Sequence, residues 1–80
     1  MYLLLCRSLT YAQRSQRILE RKGITAVITK APREAAANGC SYCLRIQERK
    51  KEAAMQVLQS AGLAPERLFF QQDGSIREVL

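Results

Sequence analysis

Apolar residues along this chain fall into short runs and spaced stripes, and the alternation between the two predicts its elements. Tyr2-Leu3-Leu4-Leu5-Cys6 is a compact apolar run of strand length. Arg7-Ser8-Leu9-Thr10 follows, with hydroxyls suited to a helix N-cap. From Tyr11 the spacing changes: Tyr11, Ile18 and Leu19, with small Ala12 and Ser15 between them, share one helical face, while Arg14, Arg17 and Arg21 take the rest. Gly23 supplies a C-terminal stop. Residues 24 to 29 (Ile-Thr-Ala-Val-Ile-Thr) are rich in β-branched side chains and read as a second strand, ended by Lys30-Ala31-Pro32. Residues 33 to 40 fit one helical turn closed by Asn38-Gly39, and a third strand runs from Ser41 to Ile46.

The clearest helix spans Glu48 to Ala61. There Ala54, Val57, Leu58 and Ala61 recur at i, i+3, i+4 and i+7, Gly62 caps the end and Pro65 blocks continuation. Leu68 to Gln71 makes a fourth strand. Asp73-Gly74 is a turn dipeptide, after which Ile76 to Leu80 fits either a hairpin strand or a short terminal helix.

This order, βαββαβ, is that of the ferredoxin-like plait: an α+β domain with an antiparallel sheet and two helices on one face. One such domain accounts for residues 1–80, with its core over about 2–71. In strand order 4-1-3-2 the end of strand 1 and the start of strand 3 meet at one edge of the sheet. Cys6 and the pair Cys40/Cys43 are therefore expected to converge there, close to the N-terminus of the first helix with its outward N–H groups and positive dipole end.

Composition narrows the class. A hydrophobic content of 48% is that of a folded domain, and with five aromatic residues the core must be aliphatic. The longest apolar run is far short of the ~20 residues needed to span a bilayer, and it lacks the basic lead of a signal peptide, so a cytoplasmic location is expected. Charge is lopsided. Seven of the 13 basic residues lie in residues 1–33 against Glu20 alone, so that segment carries the whole net charge of +6. Such a surface suits an acidic protein partner, RNA or an anionic substrate, or is simply a solvated helix face.

Candidate chemistry centres on Gly39-Cys40-Ser41-Tyr42-Cys43, a C-x-x-C pair in a chain with three cysteines, no His and no Trp. A thiolate beside a helix N-terminus and cations such as Arg7 and Arg33 has a lowered pKa and is a better nucleophile at neutral pH. Cys40, directly after Gly39, fits that role. Cys43, at the start of a strand, could resolve a persulfide or selenide as a disulfide, or pack as a small hydrophobe, and packing is also open to Cys6.

Other uses of the motif fit less well. A closed zinc site needs four N or S ligands and the chain offers three thiols, although Cys6, Cys40 and Cys43 could together hold Cu(I) or share zinc across a dimer. Small ferredoxin-like metallochaperones place C-x-x-C after strand 1, and thioredoxin-like proteins place it at a helix start; here it opens a strand. An RNA-recognition motif shares the βαββαβ order but needs aromatic platforms on strands 1 and 3, where this chain has only Tyr2 and Tyr42.

The segment Ala31-Pro32-Arg33-Glu34, followed by an Ala-rich turn and then residues 39–46 (Gly-Cys-Ser-Tyr-Cys-Leu-Arg-Ile), resembles the core of small bacterial proteins described as selenium/sulfur carriers. That family shows a Pro-Arg pair, a Cys-Gly and an apolar-Arg-apolar strand, with a first helix approached through Ser/Thr and ended by Gly-Ile, here Gly23-Ile24. The resemblance covers about residues 2 to 70. Ser41 stands in place of the usual Gly, and Cys43 where a small or apolar residue is more common. The resemblance implies that Cys40 is the carrier thiol and that Pro32 and Arg33 shape its loop. It implies an accessory carrier with at most stoichiometric thiol chemistry, no cofactor, and protein donors and acceptors as partners. The alternative is a small metal- or RNA-binding module whose cysteines coordinate or pack.

Overall fold

The computed structural model describes residues 1–33, 42–65 and 67–79. Along the chain lie β1 (Tyr2–Cys6), α1 (Leu9–Arg21), β2 (Val27–Lys30), β3 (Tyr42–Ile46), a 3-10 turn (Glu48–Lys50), α2 (Lys51–Ser60), β4 (Arg67–Gln72) and β5 (Ser75–Glu78). The fold is α+β: a five-stranded antiparallel sheet in the order β2-β3-β1-β4-β5, with two helices. Of the helical turn expected over 33–40, all but Arg33 lies outside the described residues.

β1 is the central strand because it is apolar on both faces. Leu4 and Cys6 belong to one buried cluster and Leu3 and Leu5 to another, as alternating side chains of a doubly covered strand must. The first cluster is the helix side. It joins Leu4 and Cys6 to Ala12 and Leu19 of α1, Leu44 and Ile46 of β3, and Ala54 and Leu58 of α2. Each leucine fully buried there is worth about 2 kcal/mol.

Both helices end in the same way. Gly23, at φ 77°, donates to the Glu20 carbonyl while Ile24 donates to Leu19. Gly62, at φ 72°, donates to Gln59 while Leu63 donates to Leu58. These are the paired bonds of a Schellman motif, and each puts an apolar residue, Ile24 or Leu63, back under its own helix. At the start of α1, the Ser8 side chain accepts from the Tyr11 N–H at 3.2 Å, the expected N-cap.

Two expectations need correction. β2 begins at Val27 and not at Ile24, since the preceding backbone is otherwise engaged: Ile24 completes the α1 cap, and the Ala26 carbonyl accepts from Gln16 Nε2 at 2.8 Å. The sheet also has one strand more than the four-strand order. Asp73 (φ 51°) and Gly74 (φ 82°) form a two-residue turn with both φ values positive, the geometry that matches the twist of a tight hairpin, so the chain after it returns as β5 beside β4. The open choice between strand and helix is thereby decided.

Candidate functional site

The end of β1 and the start of β3 lie side by side, with Cys6 opposite Tyr42 and Leu5 opposite Cys43. Cys6 and Cys43 therefore sit at the same end of the sheet, as the topology predicts. They do not converge. Directly paired residues share a face and adjacent ones alternate, so Cys43 goes with Leu5 to the far face while Cys6 goes with Tyr42 to the helix side. A Cys6–Cys43 disulfide is incompatible with this register, and so is a single metal ion ligated by both.

Each thiol has a distinct setting. Cys6 is 6% exposed, and its Sγ donates weakly to the Leu4 carbonyl at 3.6 Å. Cys43 is fully buried among Leu3, Leu5 and Phe69, with Ala31 and Ile76 against them. Burial pushes its pKa up from 9.0 to about 11, because an apolar setting disfavours the thiolate. In this state Cys43 is a protonated free thiol, not a nucleophile.

The supporting residues are spread around that end. Arg7 is exposed, and its guanidinium stands over the Tyr11 ring, 5.0 Å from the centroid, so the cation lies along the first turn of α1. That turn contains no acidic residue, which leaves its positive end without a compensating carboxylate of its own. Arg33 is exposed, whereas Pro32 is half-buried. Cys40, Gly39 and Ser41 lie outside the described residues. Among the described residues, no group of three His, Cys, Asp or Glu side chains could hold a metal ion. Tyr2 and Tyr42 both pack on the helix-side cluster and present no stacking platform on the far face.

The far face holds residues that the sequence reading did not single out as part of a site. Pro32 lines a shallow cavity of ≈ 330 Å³ with Leu3, Thr29, Lys30, Arg45 and Gln71. Thr29 pairs with Cys43 and Arg45 with Leu3, which places both beside the buried thiol's cluster. Period-two counting from Cys43 puts Arg45 on the same face, so that signal was available in the sequence. Thr29 and Gln71 come from other strands, and no local pattern announces them.

Among the described residues, no helix is long and apolar enough to cross a membrane. No curated protein and no solved structure matches the chain. A family model does match, over residues 1–69, which include all three cysteines, both helices, β1 to β3 whole and the first half of β4. The chain belongs to the putative Se/S carrier protein-like family.

Proposed function

We propose that the protein is a carrier, built on a ferredoxin-like frame, that accepts a persulfide- or selenide-type atom on Cys40 and passes it to a partner enzyme. The observation that carries this reading is the family match over residues 1–69, joined to the burial of the other two thiols. Cys6 belongs to the helix-side core, and Cys43 is held protonated in the far-face cluster. A carrier thiol has to ionise and meet a partner, and neither of these two is placed to do so. Cys40 is the third.

In the loading step, the Cys40 thiolate attacks the outer sulfur of a donor persulfide. The donor's S–S bond breaks, its thiolate leaves, and Cys40 becomes the persulfide. An acceptor nucleophile then takes the same outer atom and regenerates the Cys40 thiolate. Arg7 and Arg33 are exposed cations, and positive charge beside Cys40 would favour these anionic forms. For Cys43 the buried, protonated thiol supports packing over a resolving role.

Loading by a cysteine desulfurase supplied with cysteine, read by intact mass without reductant, tests the reading. The parent should gain one sulfur, and Cys40→Ser should gain none. A Cys40→Ser protein that loads as the parent does would sink the carrier reading. Cys43→Ser separates the two roles of that residue: release to a thiol acceptor is unchanged if Cys43 packs and slowed if it resolves.

A further inference from the structure

The outer surface of the helix layer carries a feature that the thiol chemistry does not use. Two shallow cavities, of ≈ 260 Å³ and ≈ 410 Å³, lie side by side between α1 and the end of α2 and share Ile18 and Ala61. Arg14, Arg17 and Arg21 line the first together with Leu63. Lys22 and Val57 line the second. The result is one groove with an apolar floor and four cations supplied by α1 and its C-cap. All four cations are exposed, whereas Ile18 and Val57 are half-buried.

Among the described residues none of the four forms an ion pair; the bridges join Met1 to Glu48, Lys51 to Glu52 and Arg67 to Glu78. The spacing is costly to the free helix, since Arg14 and Arg17 stand at i, i+3 and Arg17 and Arg21 at i, i+4, where like charges repel. Arg21, in the last turn, is compensated by the helix dipole, but Arg14 and Arg17 lie further from that end. Carboxylates from outside would relieve the repulsion of the whole stripe.

The geometry points to this groove as the docking site for an acidic amphipathic helix of a partner protein. It rests on the carrier reading only in that a carrier needs a donor and an acceptor to bind. Apolar anchors one turn apart would lie over Ile18, Val57 and Ala61, and carboxylates flanking them would meet the arginines. The charge match would raise the association rate and select acidic partners. A single-stranded RNA is the poorer occupant, because no aromatic residue lines either cavity to stack a base, and a phosphate backbone makes no use of an apolar floor. α1 starts beside the thiol-bearing end of the sheet and runs away from it, so Arg17 and Arg21 lie toward the other end. A partner anchored there leaves the end that bears Cys6 and Cys43 accessible to a second part of the same partner.

Titration of the isotope-labelled full chain with a synthetic helical peptide, Leu at i, i+4 and i+7 flanked by Glu, tests this by amide chemical shifts. Saturable shifts are expected in residues 14–22 and 56–63, with affinity lost by about tenfold when salt rises from ~0.05 to ~0.3 M. Arg17→Glu/Arg21→Glu should keep a dispersed spectrum and bind at least ~10-fold more weakly. A control peptide with every Leu replaced by Ser should bind measurably worse than its parent. The proposal is overturned by shifts elsewhere, by equal binding of the Ser control, by undiminished binding to the double variant, or by tighter binding of single-stranded oligouridine through the same arginines. Cys40→Ser should bind the peptide as the parent does; a parent that binds the peptide but gains no sulfur, or a Cys40→Ser protein that loads as the parent does, sinks the carrier reading alone. Intact loading without peptide binding sinks the groove alone.

Discussion

On the helix side of the sheet, Cys6 belongs to a large cluster drawn from three strands and both helices, in which Leu4, Leu19, Leu44 and Leu58 are almost wholly shielded from water. On the far side, Cys43 belongs to a small cluster of four buried residues: Leu3, Leu5, Phe69 and Cys43 itself. The rim of that second cluster is polar. Arg67 stands over the Phe69 ring at 4.9 Å and is held by Glu78 through two bonds of 2.7 and 2.9 Å. Two cysteines at one end of one sheet thus have different surroundings, separated by a single step of strand alternation. The helix side holds the fold together, whereas the far side sets the protonation state of a thiol.

The largest effect expected from that difference is in core truncation. Leu44→Ala, among the helices, should cost about 3–4 kcal/mol in urea unfolding, and Leu5→Ala, in the small cluster where neighbours can relax, about 2–3 kcal/mol. If Leu5→Ala costs the more, the helix side is not the dominant core.

Next comes the thiol itself. The unfolded chain releases the Cys43 proton near pH 9.0 and the folded chain only near pH 11. The contribution is complete below the lower value. As pH climbs through this window the unfolded state alone gains by ionising, so stability should fall, by about 3 kcal/mol at most. Cys43→Ala should remove that part of the decline, leaving only what other groups contribute. Equal slopes for the two proteins between pH 9 and 11 would mean that the far face does not shield the thiol.

A smaller effect is expected at the helix caps that deliver Ile24 and Leu63 to the helix side. A Cβ added at Gly62 meets no atom within 4 Å, so Gly62→Ala should cost only the left-handed backbone penalty, about 1 kcal/mol. A thermal melt resolves that, and Gly23→Ala should match it. The smallest change belongs to the exposed far-side pair. Arg67 holds the Glu78 carboxyl below its usual range chiefly through their hydrogen bond, a contribution present at neutral pH and lost as pH falls through the carboxylate range. Glu78→Gln should leave the melting temperature almost unchanged and quicken amide exchange in β5.

The amino-acid sequence by itself determined the elements, because their signals are local. The 3.6-residue spacing of Ala54, Val57 and Leu58, the capping hydroxyl of Ser8, the glycines after each helix and the Asp73-Gly74 turn each act within a few residues of themselves. It also placed Cys6 and Cys43 at one end of the sheet, since that follows from topology. What it did not determine was which way each thiol turns. Facing depends on register, and register is fixed by the joint packing of β1 against β3 and β4, where a slip of one residue would exchange every side chain between the faces. The shortened start of β2 was likewise decided by partners distant in sequence, Gln16 claiming the Ala26 carbonyl and the α1 cap claiming Ile24. The basic groove joins both cases: the sequence shows the arginine stripe on α1, but only the packing of α1 against α2 puts Ile18, Ala61 and Leu63 beneath it.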